Sequence, residues 1–384
     1  MRIAIAYPFD DSAWLGGKNY FSSLFSAVRM TDAQDIELVL VTGRRTVTSL
    51  PEQFPFVEVV RTSLFDRRSP GWILRQLARL PAGLTTDPLL DRLLKRHRID
   101  VFSHSSPVGK GSGIKSIGWL PDFQFLHFPE HWTAKQLADI RRVYGTACRN
   151  CDALIVSSHD ALRDLDRFAP DSTVPRHVLH FRPVPFETRR LRPKAELLAQ
   201  YGLPDVYFHI PNQFWAHKNH AVVVDALAEA RQRGVDVTIA CTGNPVDNRR
   251  PEHFESLMTR CREAGVEANF RVLGIVPYSD MQALMAHSRA VINPSRFEGW
   301  STSVEEGKAL GKWVLLSDIP VHREQAPDRA AFFSPDDPQA LATLLQQCLA
   351  QQDEPLPPAD LERRNAEAMR AFGNRYVELA RAVA

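Results

Sequence analysis

The chain has 384 residues, 44% of them hydrophobic, which is more than one ordinary core can organise and enough for two domains. No apolar run is long enough to cross a bilayer, and a formal net charge of +2 gives no reason to expect a nucleic-acid partner. The five cysteines stand at irregular spacing, which does not make a disulfide framework.

Short β-rich runs alternate with helical patterns, which predicts βαβ units and parallel sheets. Arg2 leads straight into Ile3-Ala4-Ile5-Ala6, a strand and not a signal peptide, so a cytoplasmic location is expected. Further strands are expected at residues 36–41, 57–61, 101–103, 115–119 and 153–157. Helices are expected at 19–30 and, behind a Thr133-x-x-Gln136 capping box, at 134–149. Between the first strand and first helix, Trp14-Leu15-Gly16-Gly17-Lys18-Asn19 lacks dinucleotide-fingerprint spacing, yet its glycines would let a backbone approach a phosphate closely.

Residues 61–98 carry nine Lys/Arg against three Asp, a local excess of +6. The same stretch sets Trp72, Ile73, Leu74, Leu77 and Leu80 at helical spacing. Peripheral contact with an anionic membrane is one reading, and a solvated helix packing its apolar face on the core is the other. Cys148-x-x-Cys151 has no matching pair elsewhere and reads as inert, half-buried thiols. Asp164-Leu165-Asp166 resembles a D-x-D metal motif but falls in a helical run, 161–168, and reads as surface charge.

Residues 181–204 are rich in Pro and Arg and read as a linker. The expected division is 1–185, 186–365 and a final helix, 366–384, that could return to the first lobe. Strands in the second half are expected at 207–210, 237–242, 270–273, 290–292 and 313–317. Two doubly wound lobes facing each other across a cleft would bind ligands at the carboxyl ends of their strands.

Two segments of the second half carry chemistry. Pro211-Asn212-Gln213-Phe214-Trp215-Ala216-His217-Lys218-Asn219-His220 follows its first strand. Asn293-Pro294-Ser295-Arg296-Phe297-Glu298-Gly299-Trp300-Ser301-Thr302-Ser303-Val304-Glu305-Glu306 follows a strand and opens a helix. Backbone amides from Gly299, Trp300, Ser301, Thr302 and Ser303 at a helix start favour an anion such as a diphosphate. A carboxylate on each side, Glu298 and Glu306, suits a ligand with hydroxyls at both ends of its phosphates, the layout of a nucleotide sugar.

The second of these segments resembles the paired-glutamate motif of family 4 glycosyltransferases, and the first resembles their phosphate-binding loop. The resemblance implies the two-lobed GT-B fold, retention at the anomeric carbon and a metal-independent reaction needing no cofactor beyond the sugar nucleotide. It implies that Glu298 contacts the donor hexose, Glu306 the ribose and Lys218 the departing diphosphate. Many relatives carry Arg six residues before that Lys, where this chain has Asn212; His217 and His220 are candidates to substitute, and Glu305 reads as a solvated or capping residue. Gly16 and Gly17 resemble a family Gly pair that touches the diphosphate.

In the first half, Trp119-Leu120-Pro121-Asp122-Phe123-Gln124-Phe125-Leu126-His127 is similar to a segment of a bacterial branch, placing Asp122 or His127 near the donor sugar or acceptor hydroxyl. That branch builds O-antigen or capsule chains, which by analogy suggests mannose or rhamnose, GDP- or dTDP-linked donors and a glycan or lipid-linked glycan acceptor. The rival readings are a sugar-nucleotide epimerase, for which no acid/base carboxylate pair stands out, and a silent GT-B binding subunit, which only Asn212 favours. A Rossmann oxidoreductase lacks its fingerprint.

Overall fold

The structure, a computed structural model, describes residues 1–11, 15–78, 86–109, 111–184, 191–325, 327–351 and 356–384. It forms two compact units, Met1–Val184 with Glu367–Ala384, and Pro185–Ala366. The boundary expected at 185/186 falls in residues 185–190, outside the described residues.

The first unit is built on strands β1 (Arg2–Ala6), β2 (Glu37–Gly43), β3 (Glu58–Thr62), β4 (Val101–Ser103), β5 (Lys115–Leu120), β6 (Ala153–Val156) and β7 (Arg176–Val178). They form one parallel sheet in the order β3-β2-β1-β4-β5-β6-β7. The second unit contributes β8 (Phe208–Ile210), β9 (Ile239–Thr242), β10 (Phe270–Gly274), β11 (Val291–Asn293), β12 (Val314–Ser317) and β13 (Ala330–Phe333). These are parallel in the order β10-β9-β8-β11-β12-β13. Interior strands such as β6, β9 and β12 are buried at every residue, because helices cover both faces of a parallel sheet.

Each sheet ends in one strand absent from the sequence expectation, β7 and β13. Both are edge strands with half-buried residues: Arg176-His177-Val178 carries a single apolar residue, while Ala330-Ala331-Phe332-Phe333 buries only Phe333 and is a short apolar run that periodicity alone does not distinguish from a helix segment. In each sheet the chain order reverses once, between β1 and β4 and between β8 and β11. Such switch points are where open α/β sheets bind ligands, beyond the carboxyl ends of the strands.

Several local expectations change on folding. The first helix spans Leu15–Arg29, so Gly16 and Gly17 belong to its first turn and not to a preceding loop; Trp14 lies outside the described residues. The capping box at Thr133 and Gln136 is formed and opens the helix Ala134–Asn150. The five cysteines are free and buried, not half-buried; burial pushes the Cys148 thiol up and Cys151 up to about 12, which leaves both inert.

The basic stretch holds two short helices, Pro70–Ala78 and Pro88–Arg96, while Arg79 and Leu80 lie outside the described residues. No residue of the first is buried, and Ile73, Leu74 and Leu77 are about half exposed, so this helix does not pack its apolar face on the core. Asp87 caps the second helix through Leu90 N and pairs with Arg75 at 2.7 Å. Among the described residues no helix is long and apolar enough to cross a membrane. The last helix is Pro358–Val383, and its residues from Glu367 onward belong with the first unit, where Tyr376 is fully buried.

Candidate functional site

The switch point of the second sheet gathers the two segments singled out from the sequence. After β8 the chain passes Asn212 and makes a 3-10 turn, Ala216–Lys218. Asn219 then adopts a left-handed conformation with φ 57° and starts the helix His220–Gln232. Its side-chain amide donates to the carbonyls of Pro294 at 3.1 Å and Pro335 at 2.9 Å, and the amide of Arg296 donates to His217 O at 2.8 Å. These bonds fix the loop after β8 against the loop after β11.

Lys218 and Glu298 consequently meet: Nζ lies 2.6 Å from Oε1, with both side chains largely buried. Burial pushes the Glu298 carboxyl upward, but the Lys218 ammonium and the Ser295 hydroxyl, which donates at 2.7 Å, outweigh it and hold the group below the usual carboxylate range. The buried His322 imidazole also faces this carboxylate; its Nδ1 lies 2.9 Å from Ser317 O.

Asn293, at the end of β11, organises what surrounds the pair. Its side-chain nitrogen donates to Ser301 Oγ at 2.6 Å and Ser303 Oγ at 3.1 Å, and its oxygen accepts from the Ser295 amide at 3.2 Å and lies 2.6 Å from the Ser295 hydroxyl oxygen. Ser303 Oγ in turn donates to Asn212 Oδ1 at 3.3 Å. Ser301 precedes the helix Thr302–Ala309 without capping it through its side chain, so the first-turn amides are left to another acceptor. Gly299 and Thr302 are half-buried beside the buried Trp300 and Ser301.

Glu306 sits on the same helix, 3% exposed, and accepts a hydrogen bond from the Tyr278 hydroxyl at 2.8 Å. Among the described residues it has no cationic partner, and burial raises its carboxyl to about 7 against the lowering effect of Tyr278. Glu305, expected to be solvated or to cap, is instead 2% exposed: it accepts from Gln325 Nε2 at 3.0 Å and pairs with Lys308 at 3.2 Å. His220 does not reach toward a ligand either. Its ring stacks on Phe214 with centroids 4.5 Å apart, has no hydrogen-bond partner among the described residues, and is pushed down to about 3 by burial.

In the first unit, Gly16 and Gly17 follow β1 while Asp122 and His127 follow β5, all at the carboxyl edge of the sheet. A side chain at Gly16 would meet open space, so the backbone there is accessible. Asp122 Oδ1 accepts from the Gln124 amide at 3.0 Å and its carbonyl from Tyr144 OH at 3.1 Å. His127 Nε2 lies 2.7 Å from Asp164 Oδ2, and that carboxylate raises the imidazole above its ordinary value despite partial burial. Asp164 is thus 3% exposed and holds a histidine, whereas Asp166 is the surface charge expected of both, paired with Arg176.

Three residues of these sites have no role readable from the sequence, Tyr278, Asn293 and His104, and Ser303 has one only for its backbone amide. His104 follows β4 at the first switch point, in a left-handed conformation with φ 55°; its Nε2 lies 2.7 Å from Tyr20 OH and its Nδ1 2.8 Å from Ser103 Oγ. An Asn directly before Pro at a strand end was the available signal for Asn293; nothing local marks Tyr278 as the partner of a carboxylate far along the chain.

Comparison with known proteins bears on the second unit most directly. Residues 202–368 match the family described as "Glycosyl transferases group 1". No curated protein matches the chain in sequence. Among solved structures, a glycosyltransferase from Rickettsia africae ESF-5 superposes with a TM-score of 0.66 at 14% identity, over 100% of this chain and 98% of that one. Anabaena HepE, solved with UDP-glucose, gives 0.63 at 16% identity, over 98% and 95%. WaaG, a glycosyltransferase of lipopolysaccharide biosynthesis, gives 0.58 at 14% identity, over 97% and 95%. At such identities the likeness is one of fold, the GT-B arrangement of two Rossmann-like α/β lobes.

Proposed function

We propose that this chain, a glycosyltransferase whose second lobe is a group 1 domain using a nucleotide-sugar donor, transfers a hexose or deoxyhexose, mannose or rhamnose, to a glycan or lipid-linked glycan with retention at the anomeric carbon. The observation that carries the reading is the buried Lys218–Glu298 pair, 2.6 Å apart at the switch point of the second sheet. A carboxylate beside an ammonium there gives a hydroxyl acceptor next to a phosphate counter-charge. The nucleoside end of the donor falls to Glu306.

In this reading Lys218 and the first-turn amides at Gly299, Trp300, Ser301 and Thr302 take up charge as the diphosphate departs. The leaving phosphate accepts the acceptor hydroxyl's proton, so no separate base and no metal ion is asked for. Asn212 stands where relatives carry Arg, and its Nδ2, without a partner among the described residues, offers a neutral donor to the same phosphates. Gly16 and Gly17 offer first-turn amides suited to a diphosphate, and Asp122 and His127 are suited to a sugar ring or an acceptor hydroxyl. The first lobe binds the acceptor. The exposed Ile73, Leu74 and Leu77 amid the basic residues of 61–98 support peripheral contact with an anionic cytoplasmic membrane face, where O-antigen or lipopolysaccharide acceptors would be met.

The donor base is assigned to GDP or dTDP, and because HepE was solved with UDP-glucose, UDP belongs in the test. Melting temperatures are measured with each nucleotide in EDTA, on the wild type, Lys218→Ala and Glu306→Ala. Ligand at a hundredfold excess over its Kd stabilises by about 2.7 kcal/mol. A rise with one nucleotide that both substitutions abolish, while both variants still melt cooperatively, supports the reading. No rise, or one surviving both substitutions, overturns it and brings the silent-subunit reading forward.

A further inference from the structure

We infer that Tyr278 is a positioning residue for the nucleoside half of the donor: its hydroxyl holds the Glu306 carboxylate in the orientation that receives the ribose hydroxyls. The inference rests on the donor-site reading above and adds to it a residue outside the motifs that suggested it.

Tyr278 opens the helix Tyr278–His287 that follows β10, while Glu306 lies on the helix that follows β11. The tyrosine residue is 44% exposed, yet its hydroxyl reaches a carboxyl that is 3% exposed, donating at 2.8 Å. It therefore links the solvent-facing carboxyl edge of the sheet to the buried group a ligand must find. An ionised carboxylate has about four lone-pair sites. Tyr278 occupies one on Oε1, which leaves the rest for a vicinal diol. Gln282, one turn further along, also hydrogen-bonds the phenol.

The hydrogen bond also shifts the balance between the protonation states that meet the ligand. Burial lifts Glu306 to about 7 and Tyr278 is what opposes it. The other charged groups on its helix, Glu305 and Lys308, pair with each other. β11 and β12 bring no titratable side chain. The helix Pro320–Gln325 brings His322, Arg323 and Glu324, of which His322 faces Glu298 and Arg323 pairs with Asp318; none of the three enters the balance on Glu306. Without the phenol the carboxyl would be protonated at neutral pH and would present a donor where the ribose needs acceptors.

The test is Tyr278→Phe, read in two ways. Direct 13C titration of the Glu306 carboxyl in nucleotide-free protein is expected to rise by about one pH unit on losing the hydrogen bond. The Kd of whichever of GDP, UDP or dTDP stabilises the wild type, measured from pH 5.5 to 9, is expected to improve with rising pH. Its midpoint should move up with the carboxyl, a loss of roughly fivefold at pH 7 that vanishes by pH 9. An unmoved Glu306 titration, or an affinity loss equal at every pH, overturns the inference while the donor site stands. A moved titration with no nucleotide binding to the wild type at any pH overturns the donor site, and the inference with it.

Discussion

In the first lobe the strands flanking the switch point, β1 and β4, lead into the Gly16-Gly17 helix start and into His104. In the second lobe the equivalent strands, β8 and β11, lead into Lys218 and Glu298. The topology is the same and the chemistry is opposite. His104 is buried and pushed down to about 3, so it is neutral; Tyr20 OH and Ser103 Oγ satisfy it, and Tyr20 stacks on Trp119 with centroids 4.1 Å apart. The second switch point instead buries an ion pair and a carboxyl raised to about 7, Glu306. The fold places an opening at each position, and the side chains decide whether it is lined by aromatic packing, as around His104, or by charges, as around Lys218 and Glu298.

The sharpest way to break the contrast is Lys218→Ala. It strands the Glu298 carboxylate among buried polar groups, and the expected destabilisation is about 3–5 kcal/mol by denaturant unfolding. Transferase activity should fall at least ~100-fold. Lys218→Ala combined with Glu298→Gln should recover much of the stability and none of the activity; recovery of both would show that the pair serves packing alone.

Next is Glu306→Gln, which separates two carboxyls on one segment by the sign of their pH dependence. Glu306 is raised, so its contribution is complete below the unfolded carboxylate value near 4.3 and is lost as pH rises through about 7. Removing it should flatten that decline, by about 3 kcal/mol at pH 8. Glu298 is lowered, so its contribution is present above the unfolded value and lost as pH falls through its folded one. Stability curves of Glu306→Gln and wild type that stay parallel between pH 5 and 8 would refute the assignment.

A smaller effect is expected from Asn293→Ala, which leaves Ser301 and Ser303 without their donor and should cost about 2 kcal/mol, with nucleotide-induced stabilisation reduced because the turn before the helix loosens. The smallest is Tyr20→Phe, which removes one hydrogen bond at His104 and should cost about 1 kcal/mol without altering the nucleotide response. A changed response in Tyr20→Phe would make His104 part of the ligand chemistry and undo the comparison.

The candidate site of the second lobe is more legible than that of the first because its residues are close in sequence as well as in space. Glu298, Ser301, Thr302 and Glu306 share one strand-turn-helix unit, and local spacing alone puts them at a helix start. Lys218 stands on its own strand–helix turn. In the first lobe Asp164 looked like half of a surface D-x-D pair, and nothing within its helix shows that His127 would cover it. The edge strands β7 and β13 escape the sequence for different reasons: Arg176-His177-Val178 lacks the apolar run of a parallel strand, and Ala330-Ala331-Phe332-Phe333 has one too short to tell a strand from a helix segment.

Sequence by itself determined the alternation of strands and helices, the parallel α/β class, the anion-favouring helix start after β11 and the residue types that line it. Those follow from periodicity, capping and local spacing, which act over a few residues. Only tertiary structure decided that Lys218 neutralises Glu298, that Tyr278 is Glu306's hydrogen-bond donor, and that Glu305 and Asp164 are buried while Asp166 is exposed. Each depends on contacts between separate turns or elements. The charge state of a carboxyl is set by what those contacts bring and how much water they exclude.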